Sequence, residues 1–433
     1  MKIFFISFFF PPFNTIGAIR TGKMAKYLVS QGHEIRIISA DDQPLPSCLL
    51  LELPDSLVSR TPWVHLGSQI KQRFRKDIGE KMSPETKNYG RRPKETNRTE
   101  LLFFKKIYES LFRFPDSQVG WLPFAVRKGR KILKEWTPDI IFASAMPYTS
   151  LLVANRLSKE FQIPWVAEFR DLWVDNHYRE YGPLRNWIDK KMENSTLQNS
   201  SGLVTVSEPA AEILRSKYTQ PCVVIPNGFD PNDFQQGLSP SPEGPLKIVY
   251  TGSIYQGKRD PSILFKALDL LGDLKDFVRM EFYGPDLSLV GDLAKHYGCE
   301  ENLLIHEQIP YKESLVKQQQ ADILLLLLWD NPEEKGVFTG KVFEYLGARR
   351  PILIIGPEDN VASQTIIERR AGIVATDPEA IAEHLKIWIE NKKKGIPIES
   401  PPEEATKGFT REEQARMLAE FLESIVLESR DKQ

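Results

Sequence analysis

The sequence has few of the residues that build metal centres and disulfide scaffolds. Among its 433 residues are six histidines and three cysteines, and Cys48, Cys222 and Cys299 lie far apart without metal-ligand spacing. We interpret the cysteines as thiols of a reducing compartment. The sequence also lacks an Asp-x-Asp triplet and a His/Glu cluster at ligand spacing. It therefore predicts no metal site.

Long apolar runs and a strong charge of either sign are missing as well. No uncharged stretch is long enough to span a bilayer. The apolar run that ends at Phe10 is followed by Pro11 and Pro12 and by no small-residue cleavage site, so we expect a buried strand rather than a signal peptide. A formal net charge of -1, with 41% hydrophobic and 27% charged residues, is typical of a cytoplasmic enzyme and not of a nucleic-acid binder.

Short apolar runs alternate with helical patterns along most of the chain. A strand, a glycine turn, a helix and a second strand occupy residues 1–39, and the same alternation restarts near residue 246. This pattern predicts an α/β protein with two doubly wound, Rossmann-like domains facing across a cleft. Further strands are expected near Pro138, Ile163, Gly202, Cys222, Leu246, Met280, Leu303, Ile323, Ile352 and Ile373.

Composition predicts the domain boundaries. We expect a first domain over residues 1–228, a second over 229–409, and a terminal helix over 410–428 that packs back on the first domain. Residues from about 44 to 116 show no clean period and form a predicted insertion. Between Lys71 and Lys106 it carries twelve basic and five acidic residues. The amphipathic end of this insertion either packs on the domain core or brings residues 71–114 to anionic lipids at the inner face of a membrane.

The stretch 336–356 combines a loop, a short helix and a buried strand. Thr339 is a good N-cap residue, which places Gly340 and Lys341 in the first helical turn and Glu344 one turn further on. Free backbone N–H groups and a lysine suit a diphosphate, and a carboxylate can accept hydrogen bonds from ribose hydroxyls. The stretch thus indicates transfer from a nucleotide sugar. The alternative is an ordinary βα junction with a surface lysine.

Other candidate residues follow predicted strands. Lys258 follows the first strand of the second half, after Gly252, and would add a cation to a diphosphate site. Arg170 and Asp171 stand at the carboxyl end of the strand that begins near Ile163, where ligands gather in open α/β sheets. They are candidates for chemistry, or they pair with each other. Gly17 follows the first strand and serves either close backbone approach to a ligand or turn geometry alone.

Several motifs occur together in a specific order. They are Pro11-Pro12 with Gly17-Ala18, Gly32-His-Glu-Ile35, Val206-Ser-Glu-Pro209, Ile225-Pro-Asn-Gly-Phe-Asp230, Tyr250-Thr-Gly-Ser-Ile254 with Lys258, and Phe338-Thr-Gly-Lys-Val-Phe-Glu-Tyr-Leu-Gly-Ala348. In this order they resemble the GT-B-fold retaining glycosyltransferases of family four. The resemblance covers most of the chain outside residues 44–116.

The resemblance implies a donor held mainly by the second domain, an acceptor held by the first, and retention of configuration without a metal. A UDP-sugar is favoured over a GDP-sugar as donor. By position, Glu344 resembles the second glutamate of the family's E-x7-E motif, which holds ribose. Lys258 resembles its diphosphate lysine, and Gly17 resembles the loop glycine beside the donor phosphates.

The chain departs from the family pattern at three positions. Gly336 stands where the motif has its first glutamate, Ser253 where many members have an arginine, and Arg170 about where a histidine often lies. These departures suggest a branch that resembles deoxy- or N-acetylamino-sugar transferases. We assign Lys258, Lys341 and the helix start at Thr339 to stabilising the departing diphosphate, beside Ser253. Arg170 or Asp171 would orient the acceptor or the sugar.

The expected function is metal-independent, retaining glycosyl transfer to a glycan or lipid-linked acceptor in cell-surface polysaccharide biosynthesis, with no cofactor. A UDP-sugar 2-epimerase on the same fold is one alternative. A non-catalytic partner subunit that kept the fold is another, prompted by Gly336 and Ser253. A dinucleotide-dependent dehydrogenase is disfavoured because no Gly-x-Gly-x-x-Gly follows either domain's first strand.

Overall fold

The computed structural model describes residues 1–43, 45–65, 114–176 and 182–431, which form two compact units. The first unit comprises Met1–Ile225 and Ala415–Gln433, and the second comprises Pro226–Gln414. The chain therefore leaves the first unit after residue 225, where the sequence analysis placed the boundary after 228. It returns after residue 414, where the analysis placed the return after 409.

The first unit contains a seven-stranded sheet in the order β3-β2-β1-β4-β5-β6-β7, with parallel pairing throughout. Since β1 and β4 are neighbours, the strand order reverses between them, as in a doubly wound fold. The strands are β1 (Lys2–Ser7), β2 (Glu34–Ala40), β3 (Val58–Thr61), β4 (Ile140–Ala145), β5 (Trp165–Phe169), β6 (Gly202–Thr205) and β7 (Cys222–Val224). The helices are α1 (Ile16–Ser30), α2 (Leu122–Glu135), α3 (Thr149–Phe161), α4 (Pro183–Leu197) and α5 (Glu208–Lys217).

The central strands read as continuous apolar runs because both faces of the sheet are covered. Phe4 and Ile6 pack in a core with residues of α2 and α3, whereas Ile3 and Phe5 pack in a second core with residues of α1. The terminal helix α12 (Arg411–Asp431) contributes its residues from Ala415 onward to that second core. The alternation of side chains along β1 therefore divides one apolar run between two layers.

The predicted insertion over residues 44–116 needs correction, because both of its ends belong to the first unit's fold. Strand β3 pairs with β2 as an edge strand. Trp121 donates its indole hydrogen bond to Thr61 Oγ1 at 2.7 Å, and Asp116 accepts from the backbone N–H and hydroxyl of Thr149 at 2.9 and 2.7 Å. The sequence Val-Ser-Arg-Thr is too short and too polar to show a strand period. Residues 66–113, with nearly all of the basic segment 71–114, lie outside the described residues.

The second unit contains a six-stranded sheet in the order β10-β9-β8-β11-β12-β13, which also reverses, here between β8 and β11. The strands are β8 (Leu246–Thr251), β9 (Val278–Tyr283), β10 (Leu303–His306), β11 (Ile323–Leu327), β12 (Ile352–Ile355) and β13 (Gly372–Ala375). The helices are α6 (Ser262–Asp269), α7 (Ser288–His296), α8 (Tyr311–Gln319), α9 (Gly340–Ala348), α10 (Val361–Glu368) and α11 (Pro378–Lys393). Among the helices described in either unit, none has both the length and the apolar character of a bilayer span.

Candidate functional site

A small polar crevice opens in the second unit, beside the carboxyl ends of β8 and β11. In doubly wound sheets the ligand site lies where the strand order reverses, and this crevice is at that point. Helix α9 begins here at Gly340, after Thr339 in an extended conformation (φ -62°, ψ 141°). The Thr339 hydroxyl makes no capping hydrogen bond. The crevice is lined by Arg259, Leu326, Leu327, Leu328, Trp329, Glu334, Val337, Thr339, Lys341 and Asn360.

Lys341 is the central cation of the crevice. Its Nζ donates a hydrogen bond to the Tyr250 hydroxyl at 3.1 Å and lies 4.4 Å from the centre of the Tyr250 ring. Burial, followed by repulsion from Arg259, lowers the pKa of the Lys341 ammonium to about 7, although Glu344 acts in the opposite direction. Within the described chain, Lys341 forms no ion pair. An enclosed cation next to a second cation is a favourable place for an anionic ligand.

The backbone after β8 makes room for this lysine. Gly252 has φ +134°, a conformation that L-residues rarely adopt, and a Cβ built on it would lie 2.2 Å from Lys341 Nζ. Tyr250 donates its hydroxyl hydrogen bond to the carbonyl of Ser253 at 2.7 Å, which holds the turn closed over the lysine. The backbone conformation therefore favours glycine at position 252, and any larger residue would also displace the end of the Lys341 side chain.

Glu344 lies one turn after Lys341 on α9 and is half-buried. Gln318, which is fully buried, donates from Nε2 to Thr251 Oγ1 at 3.2 Å and to Glu344 Oε2 at 3.3 Å. Burial raises the pKa of the Glu344 carboxyl above its ordinary value, while Gln318 and Lys341 oppose that rise. The carboxylate is thus oriented by α8 and α9 together and keeps acceptor capacity for a ligand hydroxyl.

Lys258 and Arg259 follow the turn after β8. Lys258 is exposed, and its ammonium lies 4.2 Å from the centre of the Trp329 ring. Arg259 lines the crevice together with Lys341, and Trp329 lines it from the end of β11. Lys258 was predicted from the sequence as a site residue, whereas Arg259 and Trp329 were not. The adjacent basic pair Lys258-Arg259 was the available signal, but sequence alone does not reveal which of two neighbours points into a crevice.

Glu334 is the carboxylate among the residues that line the crevice, and it was not predicted from the sequence. It is 6% exposed, and its backbone carbonyl accepts a 2.8 Å hydrogen bond from the Asn360 side chain. Asn360 in turn caps α10 by accepting from Ala362 N at 2.8 Å. Glu334 precedes Gly336 by two positions, so the loop that lacks a glutamate at 336 still presents one to the crevice.

In the first unit, Gly17 and Arg170 are in direct contact. Gly17 lies in the first turn of α1, after Thr15, whose hydroxyl caps the helix by accepting from Ala18 N at 3.0 Å. A Cβ at Gly17 would lie 2.0 Å from Arg170 Nη1. Arg170 donates from Nε to Ala145 O at 2.7 Å and from Nη2 to the carbonyl of Met146. Burial lowers the pKa of the Arg170 guanidinium.

The loop after β5 is held in place by aromatic packing. Trp173 stacks on Tyr148 with ring centres 4.9 Å apart, and the Tyr148 hydroxyl donates to Leu172 O at 2.7 Å. Asp171 is exposed on this loop and does not form an ion pair with Arg170, the alternative that the sequence had left open. Below the loop, Arg20 and Glu168 form a buried ion pair at 2.9 Å.

The structure groups the predicted residues by unit. Thr339, Gly340, Lys341 and Glu344 share the start of α9, and Ser253 joins them through Tyr250. Lys258 reaches the rim of the same crevice through Trp329. Gly17, Arg170 and Asp171 occupy the corresponding switch point of the first unit, between β1 and β4.

Comparisons with known proteins agree with this fold. A family model described as Glycosyltransferase Family 4 matches residues 90–233. Anabaena HepE in complex with UDP and glucose has a TM-score of 0.61 at 15% identity, over 98% of this chain and 100% of that one. A glycosyltransferase from Rickettsia africae has a TM-score of 0.57 at 16% identity, over 98% of both chains. Sucrose-phosphate synthase from Thermosynechococcus elongatus has a TM-score of 0.56 at 15% identity, over 100% of this chain and 98% of that one.

No curated protein matches the sequence. Two doubly wound domains, matched over their whole length by solved structures of this architecture, define the GT-B fold. The chain has that fold, and the match of residues 90–233 to the family-four model agrees with the resemblance drawn from its motifs.

Proposed function

We propose that this protein is a glycosyltransferase, which moves a sugar, with retention of configuration and without a metal, from a nucleoside-diphosphate sugar to a glycan or lipid-linked acceptor. One observation carries the proposal: Lys341 and Arg259 lie together at the start of α9, and Glu344 follows one turn later. A UDP-sugar is favoured as donor, and HepE, which has the same fold, was solved with UDP and glucose. The setting would be cell-surface polysaccharide assembly on the cytoplasmic side of a membrane.

In the proposed reaction the bond between the anomeric carbon and the diphosphate oxygen breaks. The acceptor oxygen bonds to the same face of that carbon, and the acceptor proton passes to the diphosphate oxygen, so no protein base is needed. The charge that builds on the diphosphate would be stabilised by Lys341, Arg259 and Lys258, and by the free N–H groups at Gly340. Glu344 would accept hydrogen bonds from the ribose hydroxyls.

Arg259 and Glu334 would supply two of the charged groups that are missing where the chain departs from the family pattern. Ser253 supplies no cation to the diphosphate, but Arg259 lines the same crevice. Gly336 supplies no carboxylate to the donor sugar, but the buried Glu334 does. In the first unit, the exposed Asp171 would orient the acceptor.

Nucleotide binding by a Glu344→Gln variant tests the proposal. Loss of one hydrogen bond to a charged carboxylate, about 1.5–3 kcal/mol, should weaken UDP binding by roughly 10- to 150-fold in isothermal titration. Glu358→Gln, which changes an exposed glutamate of the same unit, should leave the affinity unchanged. Equal affinity of wild type and Glu344→Gln would contradict the assignment.

Incubation with UDP-N-acetylglucosamine separates the remaining alternatives. The proposal expects sugar transfer to an added acceptor, in EDTA as well as in Mg²⁺. Inversion at C2 without acceptor would identify an epimerase, and absence of any UDP or GDP binding would identify a non-catalytic subunit. Transfer that EDTA abolishes and Mg²⁺ restores would refute the metal-independent step.

A further inference from the structure

Three helices of the first unit share an outer surface that is strongly basic. Helices α2, α3 and α4 contribute residues to the same core on one face of the sheet, so their remaining sides face outward. We define the basic face as eight cations on these helices, all exposed except the half-buried Lys128. They are Arg127, Lys128, Lys131, Lys134, Arg156, Lys159, Lys190 and Lys191.

The charge of the basic face is only partly offset by carboxylates of the described chain. Glu135 and Glu160 are exposed on α2 and α3, and Glu160 also interacts electrostatically with Arg156 and Lys134. None of the eight cations forms an ion pair with a described residue, whereas the neighbouring Arg130 pairs with Glu160 at 2.8 Å. On α4 the acidic Asp189 and Glu193 are buried. A chain whose formal net charge is -1 therefore gathers eight cations against two exposed glutamates on these three helices. Charge segregated in this way favours an anionic partner surface.

Helix α2 explains how the sequence produces this surface. Ala125, Val126, Ile132 and Leu133 recur at helical spacing and are buried in the core. The positions between Val126 and Ile132 are basic, apart from the buried Gly129. One side of the helix therefore packs on the core, and the opposite side is cationic. No step of glycosyl transfer uses these side chains.

Two exposed apolar side chains at the start of α4 favour a lipid surface over other anionic partners. Leu184 is 64% exposed and Trp187 is 55% exposed, one turn apart. Lys191 lies one turn further, with its Nζ 4.0 Å from the centre of the Trp187 ring. Tryptophan with a flanking lysine is the combination that sits at the level of lipid headgroups, with the ring in the apolar boundary and the ammonium in water. A soluble polyanion offers no apolar layer for Leu184 and Trp187.

We propose that the basic face, together with Leu184 and Trp187, docks the first unit on an anionic lipid surface. Electrostatic attraction and apolar insertion act together here, and stable peripheral binding generally requires two such signals. Docking would bring lipid-linked acceptors to the unit that holds Asp171. The inference does not depend on which nucleotide the second unit binds.

Vesicle co-sedimentation of the full chain tests the docking. The wild type should bind phosphatidylcholine vesicles that contain phosphatidylglycerol, should not bind pure phosphatidylcholine vesicles, and should be released by high salt. The triple variant Arg127→Gln, Lys131→Gln, Lys134→Gln should partition on the order of 100-fold more weakly. The control Lys266→Gln, Lys295→Gln, Lys312→Gln removes three exposed cations from the second unit and should partition like the wild type.

Trp187→Ala identifies the partner. It should weaken vesicle binding and leave binding to dextran sulfate unchanged. Failure of the wild type to bind anionic vesicles, or equal binding by the two triple variants, would overturn the proposal. An unchanged vesicle affinity of Trp187→Ala, with full competition by dextran sulfate, would assign the face to a soluble polyanion instead. UDP thermal shifts of every variant report folding and the donor site separately.

Discussion

At the scale of single residues, Lys341 is the side chain of the second unit on which the proposed transfer depends most. Burial and Arg259 lower its pKa to about 7, so its charge is sensitive to pH in the physiological range. An anion bound at the start of α9 would favour the protonated form. The same desolvation that makes Lys341 a poor isolated cation makes it a strong partner for a diphosphate.

The first prediction concerns pH. Because the Lys341 pKa is about 7 without ligand, a rise in pH deprotonates it, and the nucleotide must then bind together with a proton. UDP affinity should fall between pH 7.5 and 9, by at most tenfold per pH unit. The second pKa of a phosphate is about 6, so the ligand's own charge is nearly constant in that range. Titrations in buffers of different ionisation enthalpy should show proton uptake.

Two variants control this measurement. Lys341→Arg keeps its charge to high pH and should flatten the dependence. Lys258→Gln removes an exposed cation at the crevice rim, and this variant should retain the pH dependence of UDP affinity. A wild-type affinity that does not change with pH would contradict a role for Lys341 in holding the phosphates.

Gly252→Ala provides the second prediction at this scale. The added methyl group would lie 2.2 Å from Lys341 Nζ, so the lysine must move, and φ +134° is strained for alanine by about 1–3 kcal/mol. UDP affinity should fall at least tenfold. Gly257→Ala, at φ +71° with no atom within 4 Å of the new Cβ, shares the backbone strain without the clash and should retain affinity. Equal losses of affinity in the two variants would show that strain alone is responsible.

Residue-level inference from sequence succeeds where a helix position fixes a side chain. Gly340, Lys341 and Glu344 follow from a helix start at Thr339, and the structure has that start. Arg259 does not follow, because the turn after β8 has no period that orients its side chains. Glu334 lies in an irregular loop for the same reason.

At the scale of elements, the terminal helix shows how a late segment completes an early domain. Helix α12 begins in the second unit at Arg411, where Thr410 and Glu413 exchange capping hydrogen bonds at 3.2 and 3.0 Å. From Ala415 onward its apolar side chains join the core formed by β1 and α1. The capping box and the apolar stripe were both legible in the sequence.

Leu422→Ala tests the contribution of this helix. Leu422 is fully buried, so its truncation should lower the free energy of unfolding of the first unit by about 2–5 kcal/mol in urea. Leu427→Ala, on the same helix at 61% exposure, should lower it by less than about 0.5 kcal/mol. UDP affinity should be unchanged in both variants. Similar stability losses for the two would refute the packing of α12 on the first unit.

The elements that the sequence did not reveal are those with little apolar content. The β12 prediction at residues 352–355 matches the structure because a strand covered on both faces must be apolar throughout. Strand β3 is an edge strand whose two middle residues are only half-buried, so its sequence carries no such constraint. The apolar pattern of a sequence predicts strands that are fully buried, and it does not predict strands that are only partly buried.

At the scale of the whole molecule, both units use one topology. The first six strands of the first sheet and the six strands of the second follow the same order, with reversal between their first and fourth strands. The repeated βα alternation predicted two doubly wound domains but not the order of their strands. The alternation did not place the two points where the chain crosses between the units, after residues 225 and 414, because those points are defined by contacts that composition does not report.

Hydrogen exchange of the full chain measures where a nucleotide binds. At 100 times its dissociation constant, UDP stabilises the binding-competent state by about 2.7 kcal/mol, which slows exchange wherever the ligand orders the backbone. Slower exchange is expected after β8, in 252–259, and at the start of α9, in 339–344, because Arg259 of the first segment and Thr339 and Lys341 of the second line the crevice. Helix α11 of the same unit contributes no residue to the crevice and should exchange at an unchanged rate. Slowing confined to α11, with residues 252–259 and 339–344 unaffected, would move the donor site away from Lys341 and Glu344 and remove the basis for the proposed transfer.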